Sequence, residues 1–265
     1  MTLTTNELHD VATMLSERIK VDYPHFCDSF LRRRVAYMFE KMRLRRIQDL
    51  QAALASPLKF DEMAFYLSVP QTELFRFPSF WRQLRKMLAA DASIRSIWLP
   101  SLSSYHELFS LLVTLDMAGR ADCRIVASSV CDRVTASVRS LAVSKSEDRQ
   151  NRLNFERLET RAAYEDYVVA APDGSLSLRQ GMIDGVEFRS GWFMNFEGES
   201  HDLIIFRDTL VEYGRALHVK SVARLVGSLS RPGAALCLGP VEPPLGCEDE
   251  LCADHAAEGI YTLRG

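Results

Sequence analysis

The chain reads as an α/β protein in which a mostly parallel sheet, covered by helices on both faces, follows an all-helical segment over residues 1–90. Two observations predict this. From residue 94 onward, short apolar runs alternate with helical patterns, the rhythm of a parallel sheet buried on both sides. Before residue 94, apolar residues recur only at helical spacing, and no alternating strand pattern interrupts them.

Leu8, Val11, Met14, Leu15 and Ile19 share one face of a first helix, and Phe30, Leu31, Val35, Met38, Phe39 and Met42 one face of a second. A third helix is predicted over about 46–55, ending before Ser56-Pro57, and a fourth from near Lys59. The strand candidates are IRSIWL (94–99), CRIVAS (123–128), HDLIIFR (201–207) and AALCLG (234–239), with amphipathic helices over 104–118, 131–143 and 215–229. Residues 91–265 thus form the sheet-bearing domain. Within it, about 145–195 reads as an inserted hairpin or small β-subdomain, with a turn at Pro172-Asp173-Gly174-Ser175.

Composition excludes several classes. With 47% hydrophobic and 25% charged residues and a net charge of −3, nothing global favours nucleic acid. No apolar run has the length of a membrane span, and the N-terminus has no signal-peptide pattern, so a cytoplasmic protein without membrane insertion is expected. The six cysteines are scattered and read as thiols. Cys247, Cys252 and His255 lie close in sequence, but their spacing matches no common zinc pattern, and they read as a loop with incidental thiols.

Four segments, in order, resemble the CheR family of chemotaxis-receptor methyltransferases. They are the basic helix FLRRRVAYMFEKMRLRRIQDL (30–50), Thr72-Glu73-Leu74-Phe75-Arg76 followed by Phe80-Trp81-Arg82-Gln83-Leu84, HDLIIFRDTLVEY (201–213), and SLSRPGAALCLGPVE (228–242). The resemblance implies a helical domain followed by a Rossmann-like methyltransferase domain with an inserted β-subdomain. It also implies a reaction, methyl transfer from S-adenosylmethionine to receptor glutamates.

The cofactor positions depart from that family. Its glycine-rich loop falls on Trp98 to Leu111, where the glycines become Ser101 and Tyr105 and the first glutamate becomes His106; Glu107 is retained. Glycine permits close approach of a ligand, and a tyrosine there is expected to occupy the cofactor's space. The pattern Ser104-x-x-Glu107 also reads as a capping box, which would retain Glu107 without a ligand. The acid expected after the second strand is Ser129, an asparagine-leucine pair becomes Trp192-Phe193, and a further asparagine becomes Asp208. Of the site positions, Thr72, Glu73, Arg76, Glu107 and Arg207 survive.

Methyl transfer depends mainly on holding donor and acceptor in line. The expectation is therefore a catalytically degenerate protein that binds no cofactor and acts through a protein partner, a chemoreceptor-like or other signalling protein. Its contact would be the basic helix: Arg32, Arg33, Arg34, Lys41, Arg43, Arg45 and Arg46. Nucleic acid is disfavoured because no recognised module accompanies these residues. Two alternatives stand beside it. One is an active, divergent S-adenosylmethionine-dependent protein-glutamate methyltransferase using Arg76 and Glu107; the other is a module for a different small ligand, with Tyr105, His106 and Trp192 in the remodelled crevice.

Overall fold

The computed structural model describes residues 3–56 and 58–265. Helices α1 (Thr5–Ile19), α2 (Asp28–Lys41), α3 (Ile47–Ala53), α4 (Leu58–Leu67) and α5 (Pro78–Ala90) come first. Pro57, where the helix break was expected, lies outside the described residues. Then follow β1 (Ser96–Leu99), α6 (Tyr105–Met117), β2 (Arg124–Ser129) and α7 (Asp132–Arg139). An insert holds β3 (Ala142–Val143), α8 (Asp148–Glu156), β4 (Val168–Ala170) and β5 (Leu176–Leu178). The chain closes with β6 (Val186–Ser190), β7 (Leu203–Phe206), α9 (Arg215–Val226), β8 (Ala235–Leu238), β9 (Leu251–His255) and β10 (Ile260–Leu263).

The main sheet runs β6-β2-β1-β7-β8-β10-β9. Its first five strands are parallel, and β10 runs antiparallel between β8 and β9. Numbered within this sheet, the order is 3-2-1-4-5-7-6, with the reversed strand next to last. This is the Rossmann-like methyltransferase fold.

Strand alternation divides the core. Ile97, Leu99, Ile125, Ala127, Leu203, Ile205, Ala235 and Cys237 join α5, α6 and α7 on one face. Trp98, Val126, Ile204, Phe206 and Leu236 join α9 and helices α1 to α4 on the other. The first four helices thus share a core with the sheet rather than enclosing one of their own. The start of α1 is fixed by a capping box, in which Glu7 N–H donates to Thr4 Oγ1 (3.3 Å) and Thr4 N–H to Glu7 Oε2 (2.8 Å).

The insert differs in extent from its expected boundaries. Its small sheet, β3-β5-β4, spans residues 142–178, whereas β6, expected inside it, is the edge strand of the main sheet. The Pro172–Ser175 turn does join β4 to β5, with Gly174 at φ 76° and Asp173 Oδ1 accepting from Ser175 N–H at 2.9 Å. The segment read as a cysteine loop is partly strand: Cys252 and His255 lie on β9, and His255 Nε2 meets Gln83 Nε2 at 2.9 Å. No helix among the described residues is long and apolar enough to cross a membrane.

One carboxylate ties the helical segment to the sheet. Asp61 of α4 accepts hydrogen bonds from Asp132 N–H (2.5 Å) and Arg133 N–H (3.4 Å), capping α7 from outside it. Asp61→Ala is expected to cost ~1–2 kcal/mol, read as a lower urea midpoint with an unchanged slope. An unchanged midpoint would show that the cap contributes nothing.

Candidate functional site

In an open parallel sheet the ligand crevice lies outside the carboxyl ends of the strands, where the order reverses. Here that place is flanked by the loops after β1 (Pro100–Ser104), β2 (Val130-Cys131), β6 (Gly191-Trp192) and β7 (Arg207–Thr209). Two hollows in it are lined by described residues. One, of about 70 Å³, is lined by Tyr23, Phe26, Ser101, Trp192, Glu212 and Tyr213 among others. The second, of about 50 Å³, is lined by Ser101, Leu102, Ser129, Cys131 and Trp192 among others. Small-molecule ligands occupy clefts of ~300–1,000 Å³. Both hollows are smaller than that.

The occupants come from both parts of the chain. Cys27 N–H donates to Glu212 O (2.9 Å) and Gly214 N–H to His25 O (2.8 Å), so Phe26 pairs with Tyr213 as an antiparallel bridge. Their rings meet edge-on at 4.7 Å, and Tyr23 packs beside Phe26 at 5.3 Å. These aromatics were missed in the sequence, since their spacing reads equally well as ordinary core.

Tyr105, expected to plug the crevice, lines neither hollow. Its hydroxyl donates to Glu147 Oε2 (2.7 Å) and accepts from Ser144 N–H (2.9 Å), facing the insert. His106 turns the same way, its Nε2 2.8 Å from Glu147 Oε2, and burial pushes its pKa down. The capping box expected at α6 does not form either. Ser104 accepts no hydrogen bond from the helix backbone; its Oγ meets His106 Nδ1 at 3.0 Å. Ser129 turns back on its own loop, accepting from Cys131 N–H at 3.2 Å. Thr72 is exposed.

Arg76, Glu107, Arg207 and Asp208 do come together, with one residue that the sequence did not point to, Glu242. Glu107 Oε1 lies 3.7 Å from Arg207 Nη1, and Arg76 Nε 3.7 Å from Asp208 Oδ2. Arg207 is buried with its guanidinium carbon 3.9 Å from the Phe80 ring centroid. Glu242, 1% exposed, accepts from the N–H groups of Asp208 (2.8 Å), Gly239 (2.7 Å) and Val211 (3.1 Å). It holds the loops after β7 and β8 together, with Asp208 at φ 58°. The closing glutamate of LGPVE carried no signal of this role, because its three partners are backbone groups.

The basic helix divides into internal and external residues. Arg34 is spent inside: its guanidinium donates to the carbonyls of Tyr66 (2.5 Å), Leu67 (3.2 Å) and Ser68 (2.5 Å), at the end of α4. Arg32 donates to Leu3 O at 2.6 Å. Arg33, Lys41, Arg43, Arg45 and Arg46 are exposed, and Arg46 lies 3.7 Å from Asp49.

No protein-family model and no curated protein matches the sequence. Solved structures with a similar fold include a Salinibacter ruber RNA methyltransferase in complex with S-adenosyl-L-homocysteine (14% identity, 74% of this chain and 94% of that one, TM-score 0.39). A Listeria monocytogenes protein described as a class I S-adenosylmethionine-dependent methyltransferase is 11% identical over 87% of this chain and 70% of that one, with TM-score 0.36. Human N-acetylserotonin methyltransferase in complex with SAM is 13% identical over 89% of this chain, which spans about half of it (54%), with TM-score 0.32. At these TM-scores the fold assignment rests on strand order, not on the likeness.

Burial pushes Glu107 up to about 7, opposed by Arg207, and Glu212 up to about 8, opposed by Arg34. Each folded carboxyl then holds a proton that the unfolded chain releases near 4.5. The stability this contributes is complete below that value and is withdrawn as pH rises through about 7 and about 8. The depressed histidines act in the opposite sense, but only below ~6.5. Between about pH 7 and 8.5, below most cysteine titration, the melting temperature should fall. Glu212→Gln should flatten that slope, and an equal slope in the variant would refute the assignment.

Proposed function

We propose that this chain is a catalytically degenerate, CheR-like protein that retains a methyltransferase fold and acts by protein–protein interaction in bacterial signalling. The observation that carries the reading is the filled crevice, where Tyr23, Phe26, Trp192 and Tyr213 border hollows of about 70 and 50 Å³. Ser129 supports it, since its hydroxyl is engaged by its own loop and offers no acid for a ribose. Titration calorimetry with S-adenosylmethionine and S-adenosylhomocysteine should detect no binding; micromolar affinity for either overturns the reading.

The partner surface follows from the charges that the fold leaves outside. Arg33, Lys41, Arg43, Arg45 and Arg46 fit an acidic helical protein such as a receptor signalling domain. Joint reversal of Arg33, Arg43 and Arg45 to Glu should abolish binding to an acidic receptor coiled-coil fragment and leave the melting temperature within about 2 °C. Arg34→Met should instead destabilise the fold by ~2–3 kcal/mol, because three charge-assisted hydrogen bonds are lost. Binding that survives the reversal would place the contact elsewhere.

One observation favours the second reading, an active protein-glutamate methyltransferase. Arg76, Glu107, Arg207 and Asp208 still meet beside the crevice, where an acceptor would lie. Transfer of labelled methyl groups to receptor fragments, lost in Arg76→Ala, would establish it.

A further inference from the structure

We propose that the half-open hollow between Tyr23, Phe26, Trp192, Tyr213 and Glu212 is a binding site for a small methylated onium ion, an ammonium or a sulfonium. It goes beyond the closed-crevice reading and rests on it in one respect: the space admits a headgroup and excludes a nucleoside.

One side of the hollow is aromatic, and aliphatic side chains and hydroxyls complete the wall. Tyr23, Phe26 and Tyr213 form a continuous cluster with ring centroids 5.3 and 4.7 Å apart, and Trp192, from the loop after β6, joins them in the lining. Aromatic faces carry partial negative charge and attract a methylated cation, which loses little hydration on entering. A bare metal ion finds no such match, because an aromatic wall offers few oxygen ligands. The hollow of about 70 Å³ is too small for a nucleoside and open on one side, where a compact headgroup would enter.

Two hydroxyls of the hollow are committed, Ser68 Oγ to Phe65 O (2.8 Å) and Thr209 Oγ1 to Arg207 O (3.3 Å). Among the described residues, the Glu212 carboxylate has no hydrogen bond and no ion pair, and the Trp192 Nε1–H neighbours the Tyr213 hydroxyl without a well-formed hydrogen bond. The charges near Glu212 are Arg33 and Arg34 from α2 and Glu242 from the loop after β8, with Tyr23 and Tyr213 as its titratable neighbours. Arg34 is held by three carbonyls at the end of α4, whose partial negative charge offsets its own. That leaves Glu212 as the one carboxylate lining the aromatic space. Burial holds its proton on near neutral pH, so binding of a cation displaces that proton and strengthens as pH rises through about 8.

The test follows the indole N–H resonance of Trp192, identified by its loss in Trp192→Phe. Tetramethylammonium and trimethylsulfonium are titrated separately, with 3,3-dimethylbutan-1-ol as the neutral isostere. A saturable shift with at least one onium ion and none with the alcohol is expected. Glu212→Gln should weaken that binding at least tenfold at pH 8.5 without lowering the melting temperature. No saturable shift, an equal response to the alcohol, or full binding by Glu212→Gln overturns the proposal. S-adenosylhomocysteine, which carries no methylated onium centre, is titrated in parallel: its binding would overturn the closed crevice while leaving the onium result to stand or fall by itself.

Discussion

Two backbone hydrogen bonds govern the crevice. Cys27 N–H reaches Glu212 O, and Gly214 N–H reaches His25 O, so the chain between α1 and α2 is stitched across the carboxyl end of β7. A Cβ on residue 214 would sit 2.8 Å from His25 O, and only glycine admits that approach. Each bond contributes ~0.5–1.5 kcal/mol net, a modest sum. Its larger effect is positional: it sets Tyr23 and Phe26 against Tyr213 and turns the first helices into part of the sheet's core. The burial of Glu212, and hence its raised pKa, follows from the same stitch.

Beside the crevice an internal acid organises the strand-end loops. Glu242 takes the N–H groups of Asp208, Gly239 and Val211, three donors at the ends of two adjacent strands. Such donors are where an anionic or polar ligand would be expected to bind. A carboxylate from the chain already satisfies them, and Asp208 keeps its left-handed backbone as part of that arrangement. The pair of Glu107 and Arg207 is sealed beneath Phe80, and among the described residues Arg207 Nε and Nη2 have no hydrogen-bond partner. Rearranging it would cost more than an exposed pair does, because either charge left alone would be buried.

The sequence made the central strands and the long helices legible because burial imposes a period. Ile97 and Leu99 point to one core and Trp98 to the other, and the same alternation recurs in β2, β7 and β8. It did not reveal β6, β9 or β10. β6 is an edge strand whose five residues are only partly buried or exposed, and β9 is buried at Leu251 alone, so neither carries an apolar run. At the site, sequence position was readable but side-chain direction was not. Tyr105 stands where a loop glycine would, yet as the first residue of α6 it projects toward Glu147 and away from the strand ends. Glu107 kept its place without capping anything, since its carboxyl is drawn to Arg207 and Ser104 is drawn to His106.

Backbone hydrogen bonds tie the strand-end loops to the sheet. A cofactor loop works by leaving backbone N–H groups free to face the ligand. Here Leu102 N–H donates to Ser128 O (2.7 Å), Gly191 N–H to Ser129 O (2.8 Å) and Cys131 N–H to Ser129 Oγ (3.2 Å). The loops after β1 and β6 are therefore each tied to the end of β2. The strand-end loops are thus held in several places at once, by side-chain packing and by backbone hydrogen bonds. A change at one loop position, such as glycine at Ser101 or Tyr105, would leave these pairings intact, because none of them uses the side chain of either residue.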